Sequence, residues 1–279
     1  MADSREITDY GFFINREQGR PCLVAGNAPT IRDFPFADFK GVTILTGTGP
    51  RMLADRTRPD YWVNANYYYP VPQRHLKEIN AWPSCIFFFA DSVCYAHHNR
   101  YDHGFLTRHL NVPWFAFDER HFNAQKCSPP QSCCRLVELY PGRITFQEFI
   151  EGHFGTENIS RRVGTAVLHS LALAILLGCN PIYIQGVELP LHAREYKYAR
   201  GDANFLMTAR AMKAGVQRLL TGRDKPSDFA VEIDTTLANF ERLVALAHRL
   251  GIEVYNLSRT STLNRVESLQ YREMSKITT

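Results

Sequence analysis

The residues best suited to chemistry lie where apolar runs stop. Cys22-Leu23-Val24-Ala25 breaks into Gly26-Asn27-Ala28-Pro29-Thr30. Glycine lets a main chain approach a ligand closely, asparagine both donates and accepts toward a ribose or phosphate, and a helix starting after Pro29 would aim N–H groups at an anion. A plain strand-to-helix turn accounts for the same five residues. Arg162-Val163-Gly164-Thr165 precedes a long apolar segment, where an arginine and a hydroxyl could meet a phosphate or carboxylate; a solvated arginine and a capping threonine are the alternative. Ile182-Tyr183-Ile184-Gln185 runs into Gly186-Val187-Glu188, which puts a carboxylate at the C-terminal end of a strand, as a functional group or as a loop ion-pair partner.

Neither a GxGxxG fingerprint nor a Gly-Lys-Ser/Thr phosphate loop occurs, which argues against ordinary dinucleotide and P-loop binding. Of the 10 histidines, His97, His98 and His103 lie near Asp91 and Asp102, as a metal cluster or as exposed loop residues. His192 follows Glu188 in a polar, aromatic stretch and is a candidate general base. His169 interrupts an apolar helix and reads as a core residue.

These residues need a frame, and the apolar pattern supplies one. Strands are expected at 21–25, 42–46, 61–63, 85–90, 114–117, 182–185 and from 252, with helices near 72–81, 165–177, 205–220 and 235–250. Short apolar runs alternating with helical segments predict an α/β fold whose mostly parallel sheet is covered on both faces. The helix at 165–177 is apolar nearly all round and stops at Gly178. The segment 118–160 reads as connection with short helices, 189–200 as a loop or lid, and the tail as a partly ordered helix carrying Arg259, Arg265, Arg272 and Lys276.

Composition bounds the class. With 279 residues, 45% hydrophobic and 22% charged, the chain has the makeup of a folded globular protein. A net charge of +4 suits an anionic small ligand and does not call for nucleic acid. Seven cysteines without zinc spacing read as reduced thiols of a cytoplasmic protein. The start carries no apolar signal region, and no run approaches the roughly 18 apolar residues of a membrane span.

In this order the motifs resemble the bacterial lipooligosaccharide sialyltransferases, with a skeleton shared by the 6-hydroxymethylpterin diphosphokinase-like proteins and the motility-associated glycosyltransferases. The resemblance rests on Leu23 to Thr30, Arg162 to Thr165 before an Ala/Leu-rich helix, Ile182 to Glu188, and Val254-Tyr255-Asn256-Leu257-Ser258-Arg259-Thr260-Ser261. It implies a Rossmann-like, nucleotide-binding α/β domain, a GT-A-like variant, over 21–266 with a lid around 189–230. Residues 1–20 form a lead-in and 267–279 a basic tail. It further implies a glycosyltransferase that moves a CMP-sialic-acid-type sugar to a glycan acceptor without an obligatory metal or other cofactor. Carried over, the matching positions are Gly26, Asn27, Asn66, Arg162, Thr165, Gly186, Glu188 and Ser261, joined by Thr30 and Gly164 from the same motifs.

The chain also departs from the family. Glu188 stands where the family has Asp and Pro190 where it has an aromatic, while Tyr198 matches a second lid tyrosine that assists the departing phosphate. Residues 223–234 contain no histidine where the family keeps its base, which leaves His192 or Glu188 to deprotonate the acceptor. Two alternatives stay open. One is an ATP-dependent diphosphokinase, with magnesium held by Glu188 and Asp234; the other is a non-catalytic nucleotide or glycan binder. A cytoplasmic location is expected, and the basic tail leaves association with the inner membrane and homo-oligomerisation open.

Overall fold

A computed structural model describes residues 5–47, 53–64, 77, 79–91, 108–118, 144–157, 166–189 and 233–277. The apolar runs form eight strands: β1 (Cys22–Ala25), β2 (Val42–Thr46), β3 (Tyr61–Asn64), β4 (Ile86–Asp91), β5 (Trp114–Asp118), β6 (Ile182–Gln185), β7 (Val254–Asn256) and β8 (Gln270–Tyr271). They make one sheet in the order β5-β4-β3-β2-β1-β6-β7-β8, with every neighbouring pair parallel. A parallel sheet must be covered on both faces, and the central strands β1, β2, β3 and β6 are accordingly buried at every position rather than at alternate ones.

Residues such as Val24, Ile44, Val63, Phe88, Phe115 and Ile184 pack on the first face against three helices, α1 (Phe146–Phe154), α2 (Ala166–Leu176) and α3 (Ile233–Arg249). Helix α2 is buried from Val167 to Leu176 and lies over β1, β2 and β3. Its neighbours on both sides are apolar, so it has no polar stripe to show. His169, 4% exposed, packs its ring at 4.9 Å from that of Phe117. The alternate residues Leu23, Ala25, Leu45, Trp62, Phe87 and Tyr183 face the other way. They are covered by Ile31, Phe34 and Phe39, by helical residues Leu53 and Ile79, and by Trp82 and Leu110. The sheet is therefore α/β and Rossmann-like, with helical residues on both faces.

Several segments differ from the sequence expectation. The lead-in is part of the core: in a 3-10 turn, Tyr10 packs tilted against Phe115 and Phe13 meets Phe88 and Phe115 edge to face, and the Asn15 and Glu17 amides donate to the Leu176 and Leu177 carbonyls at the end of α2 at 2.9 Å. The polar residues around them hid two aromatic anchors. The C-terminal segment forms strand β8 and a 3-10 turn rather than a helix, with the Arg272 guanidinium 3.5 Å over the Tyr255 ring. Within 118–160, where short helices are expected, α1 is one of 9 residues with a capping box, Thr145 and Glu148 each bonding the other's backbone N–H. Among the described residues, Cys22, Cys85 and Cys179 are free and buried, and no helix is long and apolar enough to cross a membrane.

Candidate functional site

Strand order reverses at one place. From β1 the chain winds outward through β2, β3, β4 and β5, then returns to lay β6 on the other side of β1 and continues through β7 and β8. At such a switch point the loops after the two central strands part in opposite directions and leave a crevice at the strands' carboxyl ends, where open α/β sheets bind ligands. Here those loops are Gly26–Thr30 and Gly186–Leu189.

The two loops begin by touching. The Gly26 amide donates to the Gln185 carbonyl at 2.8 Å and the Ala28 amide to the Gly186 carbonyl at 3.0 Å. A Cβ on Gly26 would overlap the Gly186 carbonyl oxygen and stand 2.7 Å from Val187 Cγ2. Gly186 has φ +76°, and a Cβ there would stand 2.9 Å from Ile31 Cβ. Both glycines are therefore dictated by backbone packing. For Gly26 this corrects the sequence reading, because the room left by its missing side chain is filled by the neighbouring loop. The segment that follows, a helix or a turn by sequence, is a single 3-10 turn over Pro29–Asp33 with no side-chain cap.

Beyond the glycines the side chains converge. Thr30 Oγ1 donates to Glu188 Oε1, and Ser258 Oγ reaches the same oxygen at 3.5 Å. Gln185, at the last position of β6 and 1% exposed, donates from Nε2 to the Thr30 carbonyl at 2.6 Å. Thr30 is thus held by one strand-end residue and itself holds another. The Thr262 amide donates to the Glu188 carbonyl at 3.1 Å, so the segment after β7 fixes the backbone of this residue as well. Burial pushes the Glu188 carboxyl above its ordinary value, and the bonds from Thr30 and Ser258 only partly offset it.

Among the described residues, three buried acceptors here lack a partner: Asn27 Oδ1, Gln185 Oε1 and Glu188 Oε2. A buried polar atom left unpaired costs roughly 1–3 kcal/mol, so these three at adjoining strand ends are open to donors from water or a ligand. Asn27 leans toward the end of β2, its Nδ2 lying 2.9 Å from where a Cβ of Gly47 would stand. Gly47 in turn receives the indole N–H of Trp62 on its carbonyl at 2.8 Å.

The sequence candidates thus divide. Gly26, Asn27, Thr30, Gly186 and Glu188 meet at the switch point. Ser261 is adjacent but buried beneath: it donates to the Val187 carbonyl and accepts from the Leu263 amide at 3.0 Å, capping a 3-10 turn. Asn66, Arg162, Gly164, Thr165, His192 and Tyr198 lie outside the described residues, as do His97, His98, His103 and the lid. Gln185 and Ser258 were not singled out by sequence. A glutamine closing an otherwise apolar strand just before a glycine is the signal that marks the first. Among the described residues no group of three or more His, Cys, Asp or Glu side chains could hold a metal, and Asp234 is exposed, 3.4 Å from Arg265.

No protein-family model matches the chain, and no curated protein matches its sequence. Among solved structures it is similar to the MAf glycosyltransferase from Magnetospirillum magneticum AMB-1, at 14% identity and a TM-score of 0.51 over 96% of this chain and 38% of that one. It is also similar to the sialyltransferase CstII from Campylobacter jejuni in complex with CMP-3FNeuAc, at 13% identity and a TM-score of 0.48 over 93% and 89% of the two chains. For the sialyltransferase CST-II in complex with a trisaccharide acceptor and CMP the values are 15%, 0.47, 90% and 86%. The likeness to the MAf protein supports the fold and, at that identity, the fold alone. The other two are too distant to bear on the site.

Proposed function

We propose that the protein is a glycosyltransferase that takes a nucleotide-activated sugar, of the CMP-sialic-acid type, and passes it to a glycan acceptor. The observation that carries this reading is the β1/β6 switch point, where a half-buried carboxylate and unpaired acceptors share one end of the sheet. The ordered resemblance of the strand-end motifs to the sialyltransferases supports it, and the fold shared with a glycosyltransferase agrees with it. In this mechanism Asn27 binds the nucleotide with help from Arg162 and Thr165. Glu188 takes the proton of the acceptor hydroxyl as that oxygen attacks the anomeric carbon, and the nucleoside monophosphate leaves with Tyr198 assisting.

We assign the base to Glu188. One of its oxygens is held by Thr30 and Ser258 while Oε2 is unpartnered, and burial moves its pKa toward the working range of a general base. No cofactor is assigned. A thermal-shift series with CMP, CDP, UDP and ATP with magnesium tests the reading. Stabilisation by CMP supports it; stabilisation by ATP with magnesium and none by CMP would sink it in favour of diphosphoryl transfer. Binding of CMP with neither donor hydrolysis nor transfer would indicate a binding protein.

A further inference from the structure

Resting on the nucleotide reading, we propose that Gln185 is a specificity-determining residue, whose fixed carboxamide oxygen acts with that of Asn27 to receive hydrogen-bond donors of the bound nucleoside. The orientation of Gln185 follows from chemistry. Its Nε2 lies 2.6 Å from the Thr30 carbonyl, which can only accept, so the nitrogen must be on that side and Oε1 on the other. At 1% exposed the side chain is locked, yet Oε1 has no partner. Asn27 Oδ1, on the loop of the adjoining strand, is buried and unpaired in the same way.

A carboxamide oxygen, fixed at Gln185 by the bond from its Nε2, accepts and cannot donate, which makes the pair poor partners for phosphate and good ones for a neutral O–H or N–H group. A nucleoside offers both kinds of donor, ribose hydroxyls and the exocyclic amine of an amino-bearing base. A ligand lacking the donor would leave the oxygens unpaired, and that is the physical basis of discrimination.

Isothermal titration of CMP, 2′-deoxy-CMP and UMP into the wild-type protein, Gln185→Met and Asn27→Ala tests this. The wild type should prefer CMP over at least one donor-lacking analogue by about tenfold. The 2′-deoxy arm identifies a hydroxyl and the UMP arm an amine. Gln185→Met should bring that preference to within about twofold while leaving the affinity for the analogue unchanged. Asn27→Ala, at a half-buried position, should reduce the same preference and provides the answer if Gln185→Met does not fold. Equal wild-type affinity for all three ligands, a preference untouched by either variant, or an equal weakening of all three ligands in both variants would overturn the assignment and leave the nucleotide reading standing. Absence of any nucleotide binding to the wild type would sink both.

Discussion

Glu188 is the base in the proposed reaction, and its surroundings predict how it responds to pH. Burial raises its folded pKa above the ordinary carboxylate value, so the folded state holds a proton that the unfolded state has already released. The stability this group lends is therefore fully present below the ordinary carboxylate pKa and is lost as pH rises through the raised value. Activity should run the opposite way, rising through that same pKa as the base ionises, and a pH series of turnover against melting temperature should show the two opposing trends. Glu188→Gln keeps an acceptor for Thr30 and removes the base, so turnover should fall by roughly 10²- to 10⁴-fold with no loss of melting temperature. If His192→Ala abolished turnover while Glu188→Gln left it intact, the base would be misassigned. Gly26→Ala, by contrast, is a packing change: its Cβ would meet backbone of the neighbouring loop, and chemical denaturation should show a loss of about 1–3 kcal/mol.

At the scale of elements, what was legible in the sequence was what depends on local pattern. Strands at 42–46 and 182–185 and helices close to 166–176 and 233–249 follow from unbroken apolar runs and helical periodicity, signals that neighbouring chain cannot easily override. Strand β8, two exposed residues, has no such pattern and exists only because β7 offers it an edge: the Arg272 amide donates to the Asn256 carbonyl at 2.9 Å. The segment after Pro29 reads as either helix or turn, since proline and threonine suit a helix start, and the bonds to Gln185 and Gly186 hold it to β6 as a single turn. Helix α1 was hidden in a turn-rich stretch although its capping box, Thr145 with Glu148, is written in the sequence. Thr145→Ala should cost about 1 kcal/mol of stability in denaturant titration and leave nucleotide affinity unchanged, since α1 packs far along the sheet by β5 and the first-face core.

Across the whole molecule, the candidate site is a product of topology. Gly26-Asn27 and Gly186-Val187-Glu188 are each weak signals, separated by about half the chain, and nothing in their types says that they adjoin. They meet because β6 returns to lie beside β1 after four strands have been laid on its other side, a long-range pairing that no local pattern encodes. Once the strand order is known, the unpaired oxygens of Asn27, Gln185 and Glu188 turn two motifs into one crevice. The central claim is that this crevice holds a nucleotide, and a crystal structure with CMP tests it most directly. Difference density for the nucleotide is expected at the carboxyl ends of β1 and β6, within hydrogen-bonding reach of Asn27 and Gln185. Density at another edge of the sheet, or a saturated crystal with the β1/β6 crevice occupied only by water, would contradict it.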